Sequence, residues 1–185
     1  MKYNLEKTKD LYDENNNLKY LFFWGHSPSK DGSITKTCFS QWWESKFTVD
    51  NIKYPSAEHW MMAEKARLFE DNIVLEKIIS SKSPASAKKL GREVNHFIPK
   101  IWEEKKYEIV KQGNLHKFSQ NQDLKAFLLN TNDRIIVEAS PLDTIWGIGL
   151  SSDNPNSLNP HQWKGENLLG FALMEVRDIL KESAT

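Results

Sequence analysis

The chain has 185 residues and carries 25 Lys+Arg against 25 Asp+Glu, so its formal net charge is zero. That length suits one domain with a good core, and the charge balance argues against a strongly basic nucleic-acid surface while leaving a local patch open. One cysteine, Cys38, rules out an internal disulfide framework and fits a reducing compartment. No apolar run reaches the ~18–20 residues of a membrane span, and the polar N-terminus does not read as a signal peptide, so the expected location is cytoplasmic. Seven tryptophans are unusually many, and some of them are expected to line a cavity.

Residues 1–19 read as a polar N-terminal extension, partly loose, with a short helix at Thr8–Tyr12. Tyr20–Trp24 is aromatic and apolar and predicts a strand. Ser27–Thr37 reads as a polar loop. A second strand is expected at Cys38–Trp43, and a third at Lys46–Tyr54, pairing through the turn-type dipeptide Asp50-Asn51. From Pro55 the pattern turns helical. Ser56 is a plausible N-cap for a helix over Ala57–Phe69, and Asn72–Ser80 predicts another. Ser83-Pro84 starts a helix that ends near Gly91. Pro99–Lys117 predicts a long helix with Ile101, Trp102, Ile109 and Val110 inward, and Gln120–Leu129 a further one. Ile135–Glu138 reads as a short buried strand, and Leu150–Gln162 as surface loop. The closing helix, Gly165–Lys181, carries Leu168, Leu169, Ala172, Leu173, Val176 and Leu180 on one stripe. No repeat, low-complexity tract or linker interrupts the chain.

Two segments carry candidate chemistry. In the first, Glu58 and Lys65 are seven residues apart on the Ala57–Phe69 helix. Two helical turns put them on one face, ~10 Å apart along the axis. Glu58 near the helix N-terminus is favoured by the dipole. Lys65, flanked by Met61, Met62 and Ala63, is a candidate for partial desolvation, which would make it a usable amine nucleophile. The competing reading is a solvated charged face with Lys65 exposed. His59 reads as structural or as a neighbour of the cap. No second histidine follows at i+4, so no zinc motif is present.

The second segment is Glu138-Ala-Ser-Pro-Leu-Asp-Thr-Ile-Trp-Gly-Ile-Gly-Leu150, a glycine-punctuated loop leaving the buried strand. Asp143 and Trp146 put a carboxylate and an indole three residues apart, which suits a site that holds a ring and handles a proton. Gly147 and Gly149 let the backbone turn or approach a ligand. The competing reading is a core loop in which Trp146 packs and Asp143 makes an Asx-turn. Asn114, Lys117, Phe118 and Asn121 form a polar and aromatic cluster. Lys88, Lys89 and Arg92 form a basic helical cluster, which would bind phosphate only if it bordered the site.

Read together with Phe22–Gly25 and Phe39-Ser-Gln-Trp42, these segments resemble the NADAR (YbiA-like) family over roughly residues 20–182. The carriers are Tyr54-Pro-Ser-Ala-Glu58-His59, Lys65, Ala87-Lys-Lys-Leu-Gly-Arg92, Trp102, Gly113-Asn114 and Lys117-Phe118, then Gln120–Leu124, Leu128-Leu129, Glu138–Leu150 and Trp163-Lys-Gly-Glu-Asn-Leu-Leu-Gly170. The resemblance implies an α+β fold, predominantly helical, as a compact single domain with a small β-sheet. It implies a hydrolase of the N-glycosidic bond between ribose C1 and a base or amine nitrogen. Family substrates are phosphoribosylated pyrimidine intermediates of riboflavin synthesis and ADP-ribose attached to guanine. The family's catalytic residues correspond to Glu58, Lys65 and Asp143, with Trp146 lining the pocket. Substrate contacts are further expected from Trp102, Asn114, Phe118 and Gly147. Where many members carry a Ser-Asn-Phe-type segment, this chain has Phe23-Trp24-Gly25-His26 and Ser40-Gln41-Trp42, and these positions too are expected to touch substrate.

The expected function is therefore an N-glycosidase acting on a phosphoribosylated or ADP-ribosylated small molecule, without cofactor or metal and without a membrane. De-ADP-ribosylation of guanine in nucleic acid or nucleotides is the first alternative, and a non-catalytic ADP-ribose or nucleotide-binding module the second.

Overall fold

The computed structural model describes residues 1–15 and 17–183, and the chain divides into two packed units, residues 1–40 with 123–185 and residues 41–122. Asn16 of the expected N-terminal extension lies outside the described residues. The fold is α+β and predominantly helical, as expected, and among the described residues the strands form two pairs. None of the described helices is long and apolar enough to cross a membrane.

In the first unit, β1 (Tyr20–Phe23) and β4 (Ile135–Glu138) pair in parallel, with Tyr20 opposite Ile135 and Phe23 opposite Glu138. The apolar run Ile135-Ile136-Val137 is buried throughout, as a strand covered on both faces requires. Helix α7 (Leu168–Glu182) packs on β4, and its predicted stripe is buried at every position named. Asn167, fully buried at the start of α7 with φ 56°, clamps the strand to the helix. Its Oδ1 accepts from the Glu138 N–H at 3.0 Å and its Nδ2 donates to the Ile136 carbonyl at 3.0 Å. Buried Arg177 ties α7 to the turn before β4, donating to Thr131 Oγ1 and to the Arg134 carbonyl. Helix α6 (Gln122–Leu129) contributes Leu124 and Leu128 to this core.

Two expectations are corrected in this unit. The start of the chain is not loose: α1 (Leu5–Glu14) is a full helix whose N-cap Asn4 accepts from the Lys7 N–H. It is moored to α7 through Asp178, which receives the Tyr3 hydroxyl at 2.8 Å and the Lys2 ammonium. Nor is Cys38–Trp43 a strand. Lys36–Phe39 is a 3₁₀ turn, with Cys38 N–H bonded to Thr35 O and Ser40 N–H to Thr37 O. Those local bonds satisfy the backbone without a ladder. The turn buries Phe39, which meets Phe23 edge-on and Phe127 at a tilt.

In the second unit, β2 (Phe47–Val49) and β3 (Ile52–Tyr54) form an antiparallel hairpin. Asp50 and Asn51 both have positive φ, 48° and 63°, the backbone of a two-residue hairpin turn whose twist matches its strands. Helix α2 (Ala57–Leu68) is the hub, touching α3 (Asn72–Ile79), α4 (Pro84–Gly91) and α5 (Pro99–Gln120). Ser56 caps α2 as predicted and Ser83 caps α4. The inward face of α5 departs from expectation. Of the residues predicted to point in, only Val110 is buried, and the buried stripe is Lys106, Val110, Gly113, Asn114, Lys117 and Phe118.

Candidate active site

Helix α2 sets the frame in the second unit. Its first N–H groups have no intrahelical partner, and the Glu58 N–H is taken by the Gln41 carbonyl at 2.9 Å. Glu58 itself is buried at 5% exposure. The Gln41 side chain reaches α5, where its Oε1 accepts from Asn114 Nδ2 at 2.8 Å, and Asn114 Nδ2 also donates to the Val110 carbonyl. The structure thus brings Gln41, Glu58 and Asn114 together. Gln41 Nε2 and Asn114 Oδ1, one donor and one acceptor, are buried without a hydrogen-bond partner among the described residues. Phe118 is fully buried one turn further along α5, with Lys117 Nζ 5.1 Å from its ring.

His59 is structural, as expected. Its Nδ1 lies 2.7 Å from Ser56 Oγ and its Nε2 3.2 Å from the Ser81 carbonyl. The carbonyl can only accept, so Nε2 carries the proton and Nδ1 receives the serine hydroxyl. Burial holds this imidazole below its ordinary value.

Lys65, two turns after Glu58, is half-buried, which overturns the reading of a fully exposed charged face. Its Nζ donates to the Gly91 carbonyl at 2.8 Å and stands 4.3 Å from the Phe97 ring and 5.6 Å from the Trp102 ring. These two rings stand beside the amine in addition to the methionines next to it in sequence. Burial lowers the Lys65 ammonium below its usual value, and the nearby Arg92 guanidinium adds to that shift. Both effects raise the fraction of neutral, nucleophilic amine. Phe97 carries no local signal of this role. It comes from the connection between α4 and α5, and only the fold brings it over Lys65. Half-buried Trp42 is met by Lys88, whose Nζ is 5.8 Å from the indole.

The remaining candidates lie in the first unit. Phe23 is buried at the end of β1, whereas Trp24, at 60% exposure, and Gly25 are open to solvent beyond it. Ser40 is half-buried after the 3₁₀ turn. In the loop after β4, Asp143 Oδ1 accepts from the N–H groups of Ile145 and Trp146, at 2.9 and 2.7 Å. The Asx-turn reading therefore holds for one carboxylate oxygen, which is held by its own loop. Asp143 and Trp146 are both half-buried. Gly147 serves the loop's own packing, because a Cβ there would stand 2.7 Å from the Glu138 carbonyl.

The NADAR domain family matches residues 22–181. N-glycosidase R617 of Acanthamoeba polyphaga mimivirus is 43% identical over 165 residues, covering 86% of this chain and 95% of that protein. N-glycosidase YbiA of Escherichia coli K12 is 33% identical over 132 residues, covering 71% of this chain and 74% of that one. The NMR structure of E. coli YbiA superposes with a TM-score of 0.71 at 30% identity, over 90% of this chain and 87% of that chain. With nearly the whole chain matched in sequence and in fold, the protein belongs to the NADAR family.

Proposed function

We propose that the protein hydrolyses the bond between ribose C1 and an amine nitrogen of a phosphoribosylated pyrimidine of the riboflavin pathway, with Lys65 as nucleophile. Hydrolysis of N-glycosyl compounds is its activity class, the one for which the mimiviral and E. coli relatives are named. The observation supporting the nucleophile assignment is the placement of Lys65. It is a half-buried amine with a lowered pKa, held by one carbonyl under two aromatic rings, on the helix that begins with buried Glu58.

In this mechanism the N-glycosylamine opens its ribose ring and exposes an imine carbon at C1. The neutral Lys65 amine adds to C1. The base-bearing nitrogen then leaves with a proton from a carboxylic acid, and C1 remains joined to Lys65 as a Schiff base. Water adds to C1, the carbinolamine collapses, Lys65 departs and the sugar closes. One water is consumed, and the products are the free amine and the ribose phosphate. Glu58 is the carboxyl group assigned to proton delivery and water activation from α2. Gln41 Nε2 and Asn114 Oδ1 are the polar atoms assigned to the substrate. Trp102 and Trp42 are the aromatic faces assigned to its rings.

The test is a product assay with the ribosylaminopyrimidine phosphate and ADP-ribosylated guanosine in parallel, read for released base and free sugar. Release from the pyrimidine alone supports this reading. Release from guanosine alone replaces it with reversal of guanine ADP-ribosylation. Release from neither, with binding retained, replaces it with a non-catalytic binding module.

A further inference from the structure

We propose that Lys88 and Arg92 form the subsite that holds a phosphate ester on the C5 carbon of the substrate ribose, beside Lys65 and Trp42. The proposal rests on the reading that Lys65 faces ribose C1. Lys88 and Arg92 are four residues apart at the end of α4, so their side chains leave the same face of that helix. Two independent contacts bring this face to the candidate site. The Lys65 ammonium sits on the carbonyl of Gly91, the residue before Arg92, and the Lys88 ammonium lies over the Trp42 ring.

Close packing makes this placement possible. A Cβ at Gly91 would stand 2.0 Å from Met62 Sδ, so glycine lets the end of α4 settle directly on α2. Arg92, one helical turn after Lys88, is brought close to Lys65. Arg92 acts on Lys65 repulsively. Both Lys88 and Arg92 are exposed, and neither forms an ion pair among the described residues. An anion entering beside Arg92 would offset its repulsion of Lys65. A dianionic phosphate on the substrate ribose is the complement, and arginine with lysine provides both the planar fork and the point charge that bind it. Lys89 neighbours Arg92 three residues on, but it is turned about 100° round the helix from Lys88, the lysine that meets Trp42.

The test is calorimetric titration of the full chain with ribose 5-phosphate, ADP-ribose and unphosphorylated ribose. Ribose 5-phosphate is expected to bind more tightly than ribose. Lys88→Ala and Arg92→Ala should each weaken it about tenfold or more, as loss of a hydrogen bond to a charged group does, with an unchanged unfolding temperature. Lys89→Ala should weaken binding less than Lys88→Ala does. ADP-ribose affected to the same degree would assign the subsite to the ribose-linked phosphate common to both ligands; ADP-ribose unaffected would restrict it to the monoester. Parent-like binding of ribose 5-phosphate by both variants overturns the subsite, as does equal binding of ribose and ribose 5-phosphate by the parent. Lys65→Met separates the two readings. If it keeps turnover while the Lys88 and Arg92 variants lose affinity, the subsite stands and the nucleophile assignment falls. If it is inactive while those variants bind normally, the nucleophile assignment stands and the subsite falls.

Discussion

The Lys65 ammonium donates to the Gly91 carbonyl at 2.8 Å, and the same glycine lies so close to Met62 that no side chain fits between α4 and α2. One packing contact therefore positions the amine assigned to the chemistry. Gly91→Ala should lower stability by about 1–3 kcal/mol, the usual cost of overpacking a filled core. It should also lower turnover, because α4 must move from the helix that carries Lys65. Denaturant unfolding and steady-state rates on the same preparation check this. A variant with parent stability and parent rate would show that the contact is loose.

Glu58 is buried and assigned to proton transfer. Glu58→Gln keeps the shape and removes the ionisable group. Turnover should fall about 10²–10⁴-fold with little change in KM. Parent-like turnover would remove Glu58 from the chemistry.

The nucleophile must be neutral, so kcat/KM should rise with pH as Lys65 loses its proton. Burial, and then Arg92, place that limb below the ordinary lysine value of 10.5. Arg92→Ala removes a repulsive cation and should move the limb to higher pH, still below 10.5 because burial remains. A pH–rate profile for both proteins gives the two limbs. Identical limbs would contradict the coupling.

His59 supplies a pH dependence of stability. Its folded pKa is depressed below the ordinary 6.5, first by burial, so the unfolded chain binds the proton more readily. The contribution is therefore complete above pH 6.5, begins to be lost as pH falls below that value, and is gone once pH has fallen through the folded pKa. Denaturation midpoints at about pH 7.5 and about pH 5 should diverge for the parent and less so for His59→Gln. Equal divergence in both proteins would assign the effect to other groups.

The local signals were legible in sequence. Ser56 and Ser83 cap their helices, Asp50-Asn51 turns its hairpin, Ile135–Glu138 is the buried strand and the α7 stripe is buried where the spacing placed it. What could not be read depends on distant partners. The inward face of α5 contains Lys106, Asn114 and Lys117, so apolar periodicity points at the wrong residues. The 3₁₀ turn at Lys36–Phe39 is too short for any period, and its Cys-Phe pair imitates a strand. Helix α1 is secured by Asp178 at the other end of the chain. For the candidate site, the spacing of Glu58 and Lys65 on one helix was visible. That Phe97 and Trp102 are the groups over the amine was not, because α5 and the segment before it reach Lys65 only through the packing around α2.

The most direct measurement is borohydride trapping during turnover. Protein would be incubated with the ribosylaminopyrimidine phosphate and sodium borohydride, digested, and read by mass spectrometry. A reduced ribose phosphate adduct on Lys65, absent from Lys65→Ala, is the predicted result. Full turnover without any adduct, or a Lys65→Ala protein with parent activity, would contradict the nucleophile assignment. It would leave an oxocarbenium-like route, with one acid and one base, in its place.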